Sequence, residues 1–110
     1  MTRFTLKNDR YAKSRGGNSH FLDLHCSKCN EHIAVYQKDG RGSLLRLYLD
    51  RIFAPENLAS LQSVTSSKSA LPRLCCTRCG QLVGVPMIYE RENRLAFRLI
   101  QGSFLRKKNQ

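Results

Sequence analysis

Long apolar stretches are missing from this chain of 110 residues, and the best candidate, Leu44 to Phe53, is broken by Arg46, Asp50 and Arg51. A membrane-spanning helix needs about 20 apolar residues, so none is expected. The N-terminus also lacks an apolar run of the secretory kind, which points to the cytosol or nucleus; its wealth of Arg and Lys leaves a mitochondrial presequence as the alternative. Catalytic signatures are scarce. There is no glycine-rich phosphate loop, no G-x-S-x-G elbow and no close carboxylate pair except Glu90 and Glu92, which flank Arg91 and read as solvated charges opposing Arg91 and Arg94. Acidic residues are few as well: eight against nineteen Lys and Arg, a formal charge of +11. A chain of this length buries one modest core.

What is present is cysteine in a particular spacing. Cys26-Ser27-Lys28-Cys29 and Cys76-Thr77-Arg78-Cys79-Gly80 are two C-x-x-C hooks, which together supply the four thiolates of one tetrahedral zinc site. Gly80 suits the tight backbone turn beneath the metal, and Asn30, at the same place after the first hook, is the next best residue where φ is positive. Cys26, Cys29, Cys76 and Cys79 are therefore the expected ligands of one structural Zn2+. Two disulfides, a redox dithiol, or a mixed site drawing on His25 or His32 are the competing readings. Cys75, the odd cysteine, is expected on the strand face away from the metal, though a C-x-x-x-C register could exchange it with Cys76. Structural zinc contributes roughly 10 to 16 kcal/mol in finger peptides, comparable with a small domain's whole stability, so metal loss should mean unfolding.

The pattern along the chain predicts a mainly β domain with one short helix between the knuckles. Residues 1 to 19 read as a basic flexible arm ending in the breaker Gly16-Gly17-Asn18, residues 20 to 101 as the folded domain, and residues 102 to 110 as a basic tail. Phe21 to His25 and Ile33 to Lys38 read as the strands around the first hook; Leu71 to Cys75 and Gln81 to Tyr89 read as those around the second. Arg94 to Gln101 alternates, placing Leu95, Phe97 and Leu99 in the core and Arg94, Ala96 and Arg98 on the other face. Leu44 to Phe53 fits either period, but six apolar residues on a helical stripe against three on a strand favour helix, with Ala54-Pro55 as its stop. Ser60 to Ser69, with five serines, reads as a mobile loop.

By its two hooks and the 46 residues between Cys29 and Cys76 the chain resembles zinc-ribbon proteins, in particular the β-tent arrangement of methionine sulfoxide reductase type B and the Rab-binding zinc chaperones. The reductase resemblance implies a zinc that holds the fold and a separate catalytic cysteine in a strand beyond the second hook; no cysteine follows Cys79, which argues against that chemistry. Four thiolates leave no open position for water, and no H-x-E motif is present, so a catalytic zinc is also disfavoured.

Charge then directs the functional reading. Four thiolates and one Zn2+ lower the formal charge by two, to about +9. That excess attracts phosphates, so the leading expectation is a non-catalytic zinc module binding RNA or DNA, with Lys28, Lys38, Arg41, Arg46 and Arg51 as the folded domain's contacts and Tyr11, Tyr36, Tyr48 and Tyr89 as stacking surfaces where exposed. A protein-interaction adaptor or chaperone presenting Leu44 to Leu61 is the second expectation. A thiol redox protein using Cys75 is the third.

Overall fold

The computed structural model describes residues 4–16, 18–64 and 67–109; Arg3, Gly17, Thr65 and Ser66, which belonged to the expected arm and serine loop, lie outside the described residues. Each hook is framed by a hairpin. The strands β1 (Ser19–Cys26) and β2 (His32–Asp39) hold the first, and β5 (Leu74–Cys75) and β6 (Leu82–Tyr89) hold the second. The remaining elements are α1 (Arg10–Ser14), β3 (Arg46–Tyr48), β4 (Ile52–Ala54), α2 (Glu56–Ala59), α3 (Leu61–Val64), β7 (Arg94–Leu99) and β8 (Phe104–Lys108). Two antiparallel four-stranded sheets result, in the orders β4-β2-β1-β8 and β3-β7-β6-β5. Among the described residues no helix is long and apolar enough to cross a membrane.

Alternation explains the core. Leu22 and Leu24 of β1 stand directly across from Tyr36 and Ala34 of β2, and directly opposed residues share a face, so all four turn towards the second sheet. There they meet Leu47, Val83, Phe97 and Leu99. Phe97 and Leu99 are buried as their alternation predicts, with Leu95 partly buried against the same cluster.

The stretch Leu44 to Phe53 is not the expected helix. It runs as β3, a 3-10 turn over Leu49–Arg51, and β4. Leu47, the residue left off the helical stripe, is fully buried opposite Phe97, whereas Leu45 is 48% exposed. A ten-residue segment satisfies both periods, and pairing with β7 and β2, both distant in sequence, decides between them. Leu44, Leu47, Leu49 and Ile52 all enter the core, while Leu45 is exposed and Phe53, Leu58 and Leu61 are partly buried. Short helices do lie between the knuckles, at α2 and α3, within and beside the serine-rich segment expected as loop.

Both terminal segments are more ordered than their charge suggested. Phe104–Lys108 forms β8, which pairs with β1, where a tail was expected. Residues 4 to 15 cover the outer face of the first sheet: Phe4, Phe21 and Phe53 cluster with ring centroids 5.0 to 6.2 Å apart, and the fully buried Gln37 exchanges two hydrogen bonds with the Lys7 backbone, at 2.7 and 2.8 Å. Asp9 caps α1 by accepting from the N–H groups of Tyr11 and Ala12.

Two buried arginines tie these segments together. Arg51, expected at the surface, is fully buried; it donates to Asp9 and, at 2.9 Å, to Asp39, whose side chain is only 4% exposed. Arg94, expected on an outer face, is 5% exposed; it pairs with Asp50 at 2.7 Å and Glu92 at 2.9 Å, with its guanidinium 3.8 Å from the Tyr48 ring and 3.9 Å from that of Tyr11. Glu92 accepts two 2.9 Å bonds from Arg15 as well, so its partners are Arg15 and Arg94 rather than Arg91. Arg51 holds the Asp9 carboxyl down at about 2, chiefly through their hydrogen bond, and the Ala12 and Tyr11 amides act in the same sense.

Arg51→Ala should destabilise the metal-loaded protein by about 3 kcal/mol or more, because Asp39 is left buried with its charge uncompensated. The exposed Arg91→Ala should shift stability by no more than about 0.5 kcal/mol. Denaturant unfolding of the two variants checks the contrast.

Candidate metal centre and basic clefts

The hooks converge. The sulfurs of Cys26, Cys29, Cys76 and Cys79 all lie within 4.8 Å of one another, with Cys26 Sγ 3.6 Å from Cys79 Sγ and Cys29 Sγ 3.5 Å from Cys76 Sγ. A tetrahedron of sulfurs about 2.3 Å from a central ion has edges of about 3.8 Å, so this set fits a thiolate-bound metal. Local backbone chemistry explains the convergence. In each hook the N–H four residues on returns to the first cysteine's carbonyl (Asn30 to Cys26, 2.8 Å; Gly80 to Cys76, 2.9 Å), and the first cysteine's N–H donates to the carbonyl five residues on (Glu31 and Gln81, both 2.8 Å). These bonds require the left-handed conformation at Asn30 (φ 65°) and Gly80 (φ 80°), as the sequence anticipated. The N–H groups of Cys79 and Arg78 point at Cys76 and, with the first as the larger effect, pull its thiol down to about 6. Against the Glu31 amide, burial and then the Cys76 and Cys79 thiols push Cys29 up to about 12, so the four sulfurs titrate as one cluster.

Neighbouring groups take other roles. His25 meets the Asn30 carbonyl and His32 pairs with Asp23 at 2.7 Å, so neither joins the sulfur cluster. Cys75 is exposed while Cys76 is buried, on opposite faces of β5 and the turn that follows. Gln81 is a residue the sequence did not single out: its amide donates to the Ser103 carbonyl (2.7 Å) and Ser27 Oγ (3.1 Å) and lies 3.6 Å from Cys26 Sγ, bracing one hook against the other. Lys28 and Arg78 sit exposed at the third position of the two hooks, where they would oppose the −2 charge of four thiolates around a dication.

The matching hydrogen bonds expose an internal repeat that the spacing of the cysteines alone had hidden. Leu24-His25-Cys26-Ser27-Lys28-Cys29-Asn30-Glu31-His32-Ile33-Ala34-Val35 aligns with Leu74-Cys75-Cys76-Thr77-Arg78-Cys79-Gly80-Gln81-Leu82-Val83-Gly84-Val85 at an offset of 50 (76 − 26). Chemically similar pairs such as Ser27/Thr77, Lys28/Arg78, Glu31/Gln81 and Ile33/Val83 were the available signal.

A second feature lies on the inner face of the first sheet. One cleft of about 360 Å3 is lined by Lys38, Arg41, Arg46 and Arg15, and a neighbouring one of about 460 Å3 by His20, Arg41, Arg106 and Lys108. Arg41 borders both. Register explains the grouping: His20 stands opposite Lys38, while Leu22 and Leu24, on the same face of β1, stand opposite Lys108 and Arg106 of β8. Arg106 and Lys108 were legible only as the period-2 pattern Phe104, Arg106, Lys108. The lone acid of the first cleft, Asp39, is already engaged by Arg51, Ser19 and Gln37. Burial, then the charge of Arg106, pushes the Lys38 ammonium below its ordinary value against the pull of Asp39, with Arg15 adding a smaller push; burial, then Lys38, does the same to His20.

Of the five cations expected to touch phosphate, three are thus brought together, Lys38, Arg41 and Arg46, with Lys38 only 6% exposed at the base of its cleft. Lys28 lines neither cleft. Arg51 is closed to solvent by its carboxylate partners and leaves the set. The tyrosines do not form open stacking platforms: Tyr36 and Tyr48 are buried, and Tyr11 and Tyr89 face Arg94 and Arg46 at 3.9 and 4.3 Å. In comparisons with protein families, curated proteins and solved structures, nothing matches the chain.

Replacing any one of Cys26, Cys29, Cys76 or Cys79 by Ser should abolish stoichiometric metal binding, whereas Cys75→Ala should retain one ion per chain by elemental analysis. Gln81→Leu should keep the ion but weaken its affinity by about tenfold or more in competition with a chromophoric chelator, because the brace on the first hook is lost.

Proposed function

We propose that this protein is a non-catalytic module in which one structural zinc closes a ribbon-like fold and the paired clefts dock the phosphate backbone of a nucleic acid. Zinc is the ion that a closed tetrahedral set of four thiolates suits best, with iron the chemical competitor. Because all four positions would be taken by sulfur, the ion's contribution is to folding rather than to reaction. Such a site needs reduced cysteines, which agrees with the cytosol or nucleus.

The observation that carries the nucleic-acid reading is the pair of clefts meeting at Arg41, where Lys38, Arg106 and Lys108 of the first sheet are joined by Arg41 of the turn after β2 and Arg46 of β3, with no uncommitted acid among the described lining residues. Elsewhere the fold pairs its charges. Asp9, Asp39, Asp50 and Glu92 are bound to Arg15, Arg51 and Arg94, so the clefts' cations stay uncompensated in a protein that neutralises its buried charge well. Mutual repulsion of this kind is relieved by a polyanion. Since the tyrosines are engaged with arginines, contact falls on phosphate rather than on bases, and binding is salt-sensitive and tolerant of sequence.

The protein as isolated should contain one equivalent of zinc and be colourless, where iron would give visible absorption. On mixed-sequence RNA, the Arg41→Ala, Arg46→Ala double variant should reduce the magnitude of the slope of log affinity against log salt by about 1.4 for a single strand, two contacts at about 0.7 each. Zinc content and unfolding midpoint should stay unchanged. No binding to RNA or DNA by the intact protein even at low salt would overturn the reading.

A further inference from the structure

We propose that the cleft between the Gly40–Gly42 turn and β3, with Lys38 at its base and Arg41 and Arg46 at its sides, is a phosphate-monoester site that seats the terminal phosphate of a polynucleotide. The phosphates that follow then run past Arg41 into the cleft of His20, Arg106 and Lys108. This rests on the nucleic-acid reading above and adds to it which part of the ligand sits where.

The charged groups of the cleft divide into committed and uncommitted ones. Arg15 is neutralised by Glu92, to which it donates two hydrogen bonds, and Asp39 by Arg51. What remains is three cations: Lys38, whose ammonium has one protein acceptor, the Gly40 carbonyl at 3.0 Å; Arg46, bonded only through Nε to Tyr48 Oη at 3.1 Å; and Arg41, with no hydrogen-bond or ion-pair partner among the described residues. An internal phosphodiester brings one negative charge and two free oxygens. A monoester brings about −1.5 to −2 and three strong acceptors, which matches three cations lining one cleft more closely.

The cleft is also pre-organised. Arg46 is held by stacking, its guanidinium 4.3 Å from the Tyr89 ring, so both of its Nη groups are left for a ligand without a loss of rotamer freedom. The Gly40 backbone is fixed too: it has φ +82°, and a side chain there would meet the Arg15 carbonyl at 3.0 Å.

The internal repeat points the same way. Fifty residues on from Lys38 stands Ile88, and the corresponding cleft of the second half is lined by Ile88, Asn93 and Leu95 where the first has Lys38, Ser43 and Leu45. Ile88 is 40% exposed, so the second half buries no charge at this place, whereas the first half does. A lysine kept 6% exposed, against the pull of burial on its charge, answers to something other than packing.

The test uses the full, zinc-loaded chain and one short single-stranded RNA in three forms: 5′-phosphorylated, 3′-phosphorylated, and with hydroxyls at both ends. One phosphorylated form should bind about tenfold tighter than the hydroxyl form, the scale of one strong charge-assisted contact. Lys38→Met should erase that preference, leave the hydroxyl form's affinity nearly unchanged, and leave the melting temperature equal or raised; a melting temperature lowered by several degrees would mark Lys38 as a structural residue and overturn the assignment. Equal affinity of all three RNAs for the parent would overturn the terminal-phosphate site while leaving salt-sensitive binding of nucleic acid intact. Absence of binding to every form would overturn both. A nucleoside monophosphate competing as well as the phosphorylated RNA would overturn the polynucleotide assignment in favour of a free mononucleotide.

Discussion

The two halves of this protein meet at four sulfur atoms, and most of the architecture follows from bringing them within 4.8 Å. Each hook can present its pair of sulfurs only if the backbone turns back beneath them, which demands positive φ at Asn30 and Gly80 and hydrogen-bonds both turns in the same way. The hairpins that leave the hooks inherit their direction from those turns. Their inner faces must then pack on each other, and the Leu24, Val83 and Phe97 core forms between the sheets. A core of this size in 110 residues is modest, so a metal–thiolate closure would supply stability that apolar burial alone does not.

A chain with nineteen cations and eight anions also has to dispose of its charge. It does so unevenly. Four of the eight acids gather around Arg15, Arg51 and Arg94 and neutralise those three arginines inside the structure, leaving sixteen cations and four acids elsewhere (19 − 3 and 8 − 4). The outward-facing field is accordingly more lopsided than composition suggests. The same network docks the N-terminal segment, since Asp9 both caps α1 and binds Arg51, so a region expected to move freely packs on the outer face of the first sheet and brings Arg15 to the edge of the first cleft.

The repeat shows how similar halves can diverge in chemistry. The hooks and the first turns of the strands beyond them are alike, and both turns close with the same pair of backbone hydrogen bonds. Farther along, Lys38 and Ile88 occupy corresponding places, as do Tyr36 and Pro86, and the clefts beside them differ accordingly. The likeness ends where the hook turns no longer dictate the backbone.

By itself the sequence determined which four cysteines converge, the positive-φ positions and most of the strands, because each rests on contacts a few residues apart: a C-x-x-C turn, an alternation of two, a glycine after a hook. It left Leu44 to Phe53 undecided in physical terms, since both periods fit a segment this short, and only pairing of β3 with β7, about fifty residues away, chose strand. Nor could it tell Arg46 from Arg51 or Arg98 from Arg94, all written alike. Arg51 is buried because Asp39 and Asp9, 12 and 42 residues away, converge on it; Arg94 is buried because Asp50, 44 residues away, and two tyrosine rings do. Where an arginine ends up depends on whether carboxylates arrive to meet it, and that is decided only when the sheets close.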